Sequence, residues 1–188
     1  MCPDHFKLSA GDVIIATRLW LERAVIGLNL CPFAKQVYVR NQIRYAVSEA
    51  QTSEALLADL GDELQTLMSA DPAAIDTTLL IHPQVLGNFL DYNEFLGLAE
   101  AAVDVLGMTG EIQVASFHPQ YQFAGLGPDD IENYTNRSPY PTLHLLREAS
   151  ITRAVAAFPD PALIYKKNIE TLRRLGHAGW QRLGLAVR

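Results

Sequence analysis

Two histidines hold matching places in the chain: His82 before Pro83 and His118 before Pro119, each closing a short apolar run. A third, His144, has Arg147 and Glu148 three and four residues downstream. On a helix, those spacings put side chains on one face. Imidazole titrates near neutral pH and can give or take a proton during a reaction. Guanidinium grips carboxylate or phosphate with paired donors. The combination predicts an enzyme acting on a small anionic substrate by hydrolysis or group transfer. His118 is then the general base or acid, and His144 its partner. Asp130 or Glu148 orients a histidine. Arg137 and Arg147 hold the anion, with Asn136 and Tyr121 as further substrate contacts.

The same residues carry plainer readings. A lone histidine is more often a satisfied polar group than a catalyst. Arg137 can tie down a loop by donating to backbone carbonyls, and Arg147 can pair with an acidic neighbour. Asp129 and Asp130, after Gly127-Pro128, fit turn or cap positions. A metal- or cofactor-binding protein is the first alternative, since His82, His118, His144 and Cys31 could supply nitrogen and sulfur ligands. Their long spacings match no compact metal motif, so no metal ligand is assigned. There is no serine nucleophile elbow, Walker loop or dinucleotide fingerprint, so the cofactor stays unknown. A structural or interaction module is the second alternative, with an exposed aromatic patch over residues 119–141.

Charge separates along the chain. Residues 1–136 hold 6 basic and 18 acidic side chains, residues 137–188 hold 9 basic and 3 acidic, and the net charge is −6. No Lys or Arg occurs between Arg44 and Arg137. The overall sign and the missing recognition motifs argue against a nucleic-acid partner. The apolar stretch 13–30 contains Arg18, Glu22 and Arg23, which argues against a membrane span. The start of the chain lacks a secretory pattern, and two cysteines in 188 residues exclude a disulfide scaffold. The expected setting is cytoplasmic. The expected partner is a small anionic molecule, with the oligomeric state open.

The elements that must position these residues read as helix 13–30, strand 43–48, a helix from Thr52 or Ser53 to about residue 70, strand 77–82, helix 90–106, strand 111–117, helix 138–157 and helix 162–183. The last is expected to bend near Gly176 and Gly179. Strands alternating with long helices predict an α/β domain spanning residues 1–188. Its sheet is small, mainly parallel and three- to four-stranded, flanked by about five helices. An α+β arrangement, with a strand missed near residues 37–39, is the alternative. Residues 119–138 show no regular pattern yet hold Tyr121, Phe123 and Tyr134, too aromatic for a disordered segment. Long irregular loops in compact domains are usually functional. In open parallel sheets, ligands sit outside the C-terminal strand ends, where this loop begins.

Several motifs run together along the chain: Asn29-Leu30-Cys31-Pro32-Phe33-Ala34, Asp91-Tyr92-Asn93, Ser116-Phe117-His118-Pro119 with Tyr121-Gln122-Phe123 and Gly125, Thr135-Asn136-Arg137-Ser138-Pro139-Tyr140-Pro141 and His144-Leu145-Leu146-Arg147-Glu148. Together they resemble the domain of unknown function 1415 family, bacterial proteins of about this length with relatives in photosynthetic eukaryotes. The resemblance covers nearly the whole chain. It implies a single cytoplasmic domain and carries over no catalytic residue.

Overall fold

The structure, a computed structural model, describes residues 9–156 and 162–185. Helix α1 (Ala10–Trp20) starts where Ser9 accepts the Asp12 N–H at 3.1 Å, satisfying a first-turn donor. It runs on into a π-helical turn, Leu21–Ile26, and stops at Gly27. The apolar stretch read as one helix to residue 30 thus ends early. Leu30 N–H reaches back five residues to Val25 O at 2.9 Å, and Asn29 takes a left-handed φ of 54°. Helix α2 (Ala34–Val39) occupies the place where a missed strand was allowed for.

Strand β1 (Ile43–Val47), helix α3 (Ser53–Ser69), strand β2 (Thr77–Ile81), helix α4 (Phe89–Val105) and strand β3 (Ile112–Phe117) follow as expected, within a residue or two. Thr52 caps α3 through Ala55 N–H, and Asn88 caps α4 through Leu90 and Asp91 N–H. On α3 the fully buried Leu56, Leu60, Leu64 and Leu67 keep helical spacing and face Tyr92, Phe95, Ala99 and Val103 of α4 in one core.

Two expectations fail in the next segment. Residues 138–157 are not one helix. Strand β4 (Thr142–Arg147) comes first, and helix α5 (Glu148–Ala156) follows it. The sheet is not mainly parallel either. Its order is β1-β2-β4-β3, with only β1–β2 parallel and β4 antiparallel to both neighbours. The reason is the vacancy that the α4 crossover leaves between β2 and β3, whose unpaired backbone groups β4 satisfies on both sides. The six residues of β4 alternate: Leu143 and Leu145 enter the α3–α4 core, while His144 contacts Phe117 on the other face. The result is a mixed four-stranded sheet with helices on both faces, six α-helices among the described residues.

The second face is covered by α1 with its π-turn and by α6 (Ala162–Gln181), which is interrupted at Gly176 where φ is 63°. Trp20 and Trp180 are core, as their types suggested. Pro159 and Pro161, read as breaks before this helix, lie outside the described residues.

Arg147 shows what the revised strand assignment does. On β4 its guanidinium reaches the last carbonyls of α3 and the following turn, donating to Leu67 O, Ala70 O and Ile75 O. Helix ends leave such carbonyls without partners, and a cation there also meets the negative end of the dipole. Arg147→Met keeps the apolar stem and removes every donor. It is expected to cost about 3 kcal/mol, read as a lower midpoint in urea unfolding; an unchanged midpoint would refute this role.

Candidate functional site

The expected centre lies where β2 and β3 end. His82 and His118 do gather there: their rings lie 5.7 and 5.0 Å from that of Tyr92. Both are fully buried. His82 Nδ1–H donates to Val85 O at 3.1 Å, and its Nε2 is buried without a partner. His118 Nδ1 accepts the Gln120 N–H at 3.0 Å, so Nε2 carries the proton and donates it to Leu86 O at 3.1 Å. Burial pushes His82 down to about 4 and lowers His118 as well.

His144 does not join them. It faces the opposite side of the sheet, where its Nε2 lies 2.7 Å from Thr77 Oγ1. Thr77 donates its own proton to Leu145 O at 2.6 Å, so His144 Nε2–H is the donor of the pair. Burial pushes His144 down to about 4. The spacing that placed His144, Arg147 and Glu148 together belonged to a helix. On a strand, His144 and Arg147 fall on opposite faces.

The remaining expected residues organise the loop. Arg137 donates to Tyr121 O and Pro128 O and lies 4.5 Å over the Tyr134 ring. Asn136 donates to Ser116 O and accepts the His118 N–H through its own carbonyl. Asp130 accepts the Gly127 N–H at 2.7 Å. Tyr121 stacks its ring 5.1 Å from Phe89 and 4.9 Å from Phe123. Glu148 opens α5, its N–H bonded to Glu111 O. Neither acid orients a histidine among the described residues. The fully buried Asn133 holds the loop's middle, accepting Phe123 N–H and donating to Gly127 O at 2.7 Å. The loop is thus a clamp, and α6 is what it holds. Phe123 meets Tyr165, Tyr134 meets Trp180 edge-on at 4.9 Å, and Glu132 pairs with Arg173 at 2.7 Å.

The metal reading finds no site: no three His, Cys, Asp or Glu side chains are grouped to hold an ion among the described residues. Burial also raises the Cys31 thiol, which makes it a poorer nucleophile.

A concave site opens elsewhere. A cleft of about 380 Å³ lies between the turn carrying Leu28, Asn29 and Pro32 and the α6 residues Lys167, Glu170, Thr171 and Arg174. Those four α6 positions are i, i+3, i+4 and i+7, one helical face. Two observations show a built wall. Asn168, buried on α6, donates to Leu30 O at 2.9 Å and pins helix to turn. The turn itself follows the π-helical segment and carries the left-handed Asn29, and such irregularities are concentrated at functional sites. The sequence held two signals for this place: the Asn29-Leu30-Cys31-Pro32 run, and the helical spacing of Lys167, Thr171 and Arg174. The first holds Cys31, whose thiol burial makes a poorer nucleophile, and the second holds no residue type that announces catalysis. A second cavity, of about 470 Å³, is lined by Glu49, Asp59, Asp62 and Glu63 and has the opposite sign.

The fold is a mixed four-stranded sheet flanked by helices, an arrangement of the α/β or α+β class, with a partly cationic cleft between a strained turn and the last described helix. The chain belongs to the family described as protein of unknown function (DUF1415), whose model matches residues 12–182. Comparison with curated proteins and with solved structures returns no match.

Two outcomes follow for this geometry. A Cβ at Gly27 would collide with the Arg23 carbonyl oxygen, so Gly27→Ala should strain the turn and cost about 1–3 kcal/mol in urea unfolding; tolerance at no cost would show that the turn is not fixed. His144 gives a pH dependence. Its unfolded imidazole takes a proton near pH 6.5, while the folded ring resists down to about 4. The associated stability is complete above about pH 6.5 and is lost as pH falls toward 4, up to about 3 kcal/mol. His144→Gln keeps a donor for Thr77 and should flatten that part of the stability–pH curve; an identical slope in both proteins would contradict the assignment.

Proposed function

We propose that the protein binds a small anionic molecule in the cleft between the 28–32 turn and α6. One observation carries the reading: Lys167 and Arg174, two cations against the single acid Glu170, line a concave space whose facing wall holds Leu28 and Pro32. Cations opposite apolar surface suit an anion with an organic body, and the volume lies in the range of small-molecule sites. The net charge of −6 favours a small ligand over a nucleic acid. No helix among the described residues is long and apolar enough to cross a membrane. A cytoplasmic setting fits the sparse cysteines.

The anion expected from the sequence is kept, and its place is moved. Arg137 and Arg147 each donate through Nε and Nη2 to backbone carbonyls, and His118 has both ring nitrogens engaged. The support is therefore for holding an anion, and hydrolysis or group transfer by a His118–His144 pair gains none. Thermal unfolding with inorganic phosphate and with citrate tests the proposal. A ligand at a hundredfold excess over its Kd stabilises by about 2.7 kcal/mol, so the wild-type midpoint should rise. The rise should vanish in Lys167→Ala/Arg174→Ala. No rise with either anion, or a rise that survives the double substitution, would sink the proposal.

A further inference from the structure

The two histidine–proline steps do something the anion cleft does not use. Residues 83–88 join β2 to α4 and carry Leu86 at a left-handed φ of 57°, an unfavourable conformation for a branched side chain. Residues 83–84 form a turn, yet among the described residues no backbone–backbone hydrogen bond of normal length and angle involves residues 83–87. The carbonyls of this turn are held by imidazoles instead: His82 Nδ1–H on Val85 O, and His118 Nε2–H on Leu86 O. The next residue, Asn88, is the cap of α4, and Phe89 follows, its ring 5.4 Å from His118 and 5.1 Å from Tyr121. Two side chains from two strand ends therefore hold the carbonyls of this strained turn, while Val85 and Leu86 pack it onto the α3–α4 core.

We propose that His82 and His118 form an acid-sensitive latch, closed only while both rings are neutral, which holds the 83–88 turn and the start of α4. Each ring has a specific reason to refuse a second proton. His82 Nε2 is enclosed with no acceptor, so an N–H there would be buried and unpaired. His118 Nδ1 already accepts the Gln120 N–H, so a proton there sets two donors against each other. The two rings share Tyr92 as a neighbour, so each charge also disfavours the other. The ionisable group facing both rings is the Tyr92 phenol from α4, whose proton burial holds more tightly, so it brings no charge to them. No carboxylate is bonded to either ring among the described residues to offset the cost. Acid then favours the open turn, in which the imidazoles reach water and take protons. Opening uncaps α4 and exposes Phe89, Tyr92 and Tyr121.

Hydrogen–deuterium exchange, corrected for the intrinsic pH dependence, tests the latch at pH 7 and pH 5. Protection of the capped amides of Leu90, Asp91 and Tyr92 should fall more than about tenfold at pH 5, and they should exchange well ahead of the amides of β2 and α3 at that pH. Asn at 82 and Gln at 118 can keep the donors to Val85 O and Leu86 O without titrating. His82→Asn/His118→Gln should hold its protection at both pH values, and each single substitution should remove part of the response. Should the double variant fail to fold, the single variants decide. His144→Gln, on the opposite face, should leave the 90–92 response as in the wild type. Unchanged protection in the wild type, exchange at 90–92 no faster than in β2 and α3 at pH 5, or a response that persists in the non-titrating variants would each overturn the latch.

Discussion

The insertion of β4 between β2 and β3 is the constraint on which the rest of the molecule depends. β1, β2 and β3, joined by the crossover helices α3 and α4, run the same way, and β4 returns against them through the gap. One six-residue segment thereby completes two ladders, sends Leu143 and Leu145 into the α3–α4 core and delivers Arg147 to the end of α3. It also turns His144 to the opposite face from Arg147, where the ring bonds Thr77. A strand's period of two makes that separation unavoidable. No local adjustment of rotamers brings His144 to His118 across the sheet.

The long loop gains its meaning from the same geometry. With its ends fixed by β3 and β4, residues 118–141 must cover the strand ends and still satisfy their own polar groups. Asn133, Arg137, Asp130 and Asn136 do so from within the loop. Its aromatics turn toward α4 and α6 and so secure the last helix. This is the physical route by which the loop supports a cleft: it holds α6, while Asn168 holds α6 to the turn after the π-helical segment.

Much of the fold was legible because period and punctuation agreed. The leucines of α3 keep a helical repeat up to Asp71-Pro72, and Thr77–Ile81 is a short apolar run stopped by His82-Pro83. The β4 segment was not legible. Thr-Leu-His-Leu-Leu-Arg offers Leu143 and Leu146 at helical spacing and Leu143 and Leu145 at strand spacing, and prolines at 139 and 141 suit a helix start. Only the vacancy between β2 and β3, a long-range fact, decides between them. The candidate site failed for the same reason. The strand-end position of His82 and His118 followed from their place after apolar runs, whereas His144 and Arg147 were joined by a helix that does not exist. The structural reading given for Arg137, a tie to loop carbonyls, is the one its bonds match. The cleft on α6 announced itself only through spaced cations and an Asn-Leu-Cys-Pro run, which become a surface once tertiary packing sets them face to face.

The central claim is that an anion belongs to the α6 cleft and not to the strand-end histidines and the loop arginines. Backbone amide NMR of the isotopically labelled chain, titrated with inorganic phosphate, tests it most directly. The account predicts saturable shifts confined to Asn29 and its turn and to Lys167, Thr171 and Arg174, with Gln120, Arg137, His144 and Arg147 unmoved. Saturable shifts centred on residues 118–121, 137 and 144–147, with the cleft silent, would contradict it.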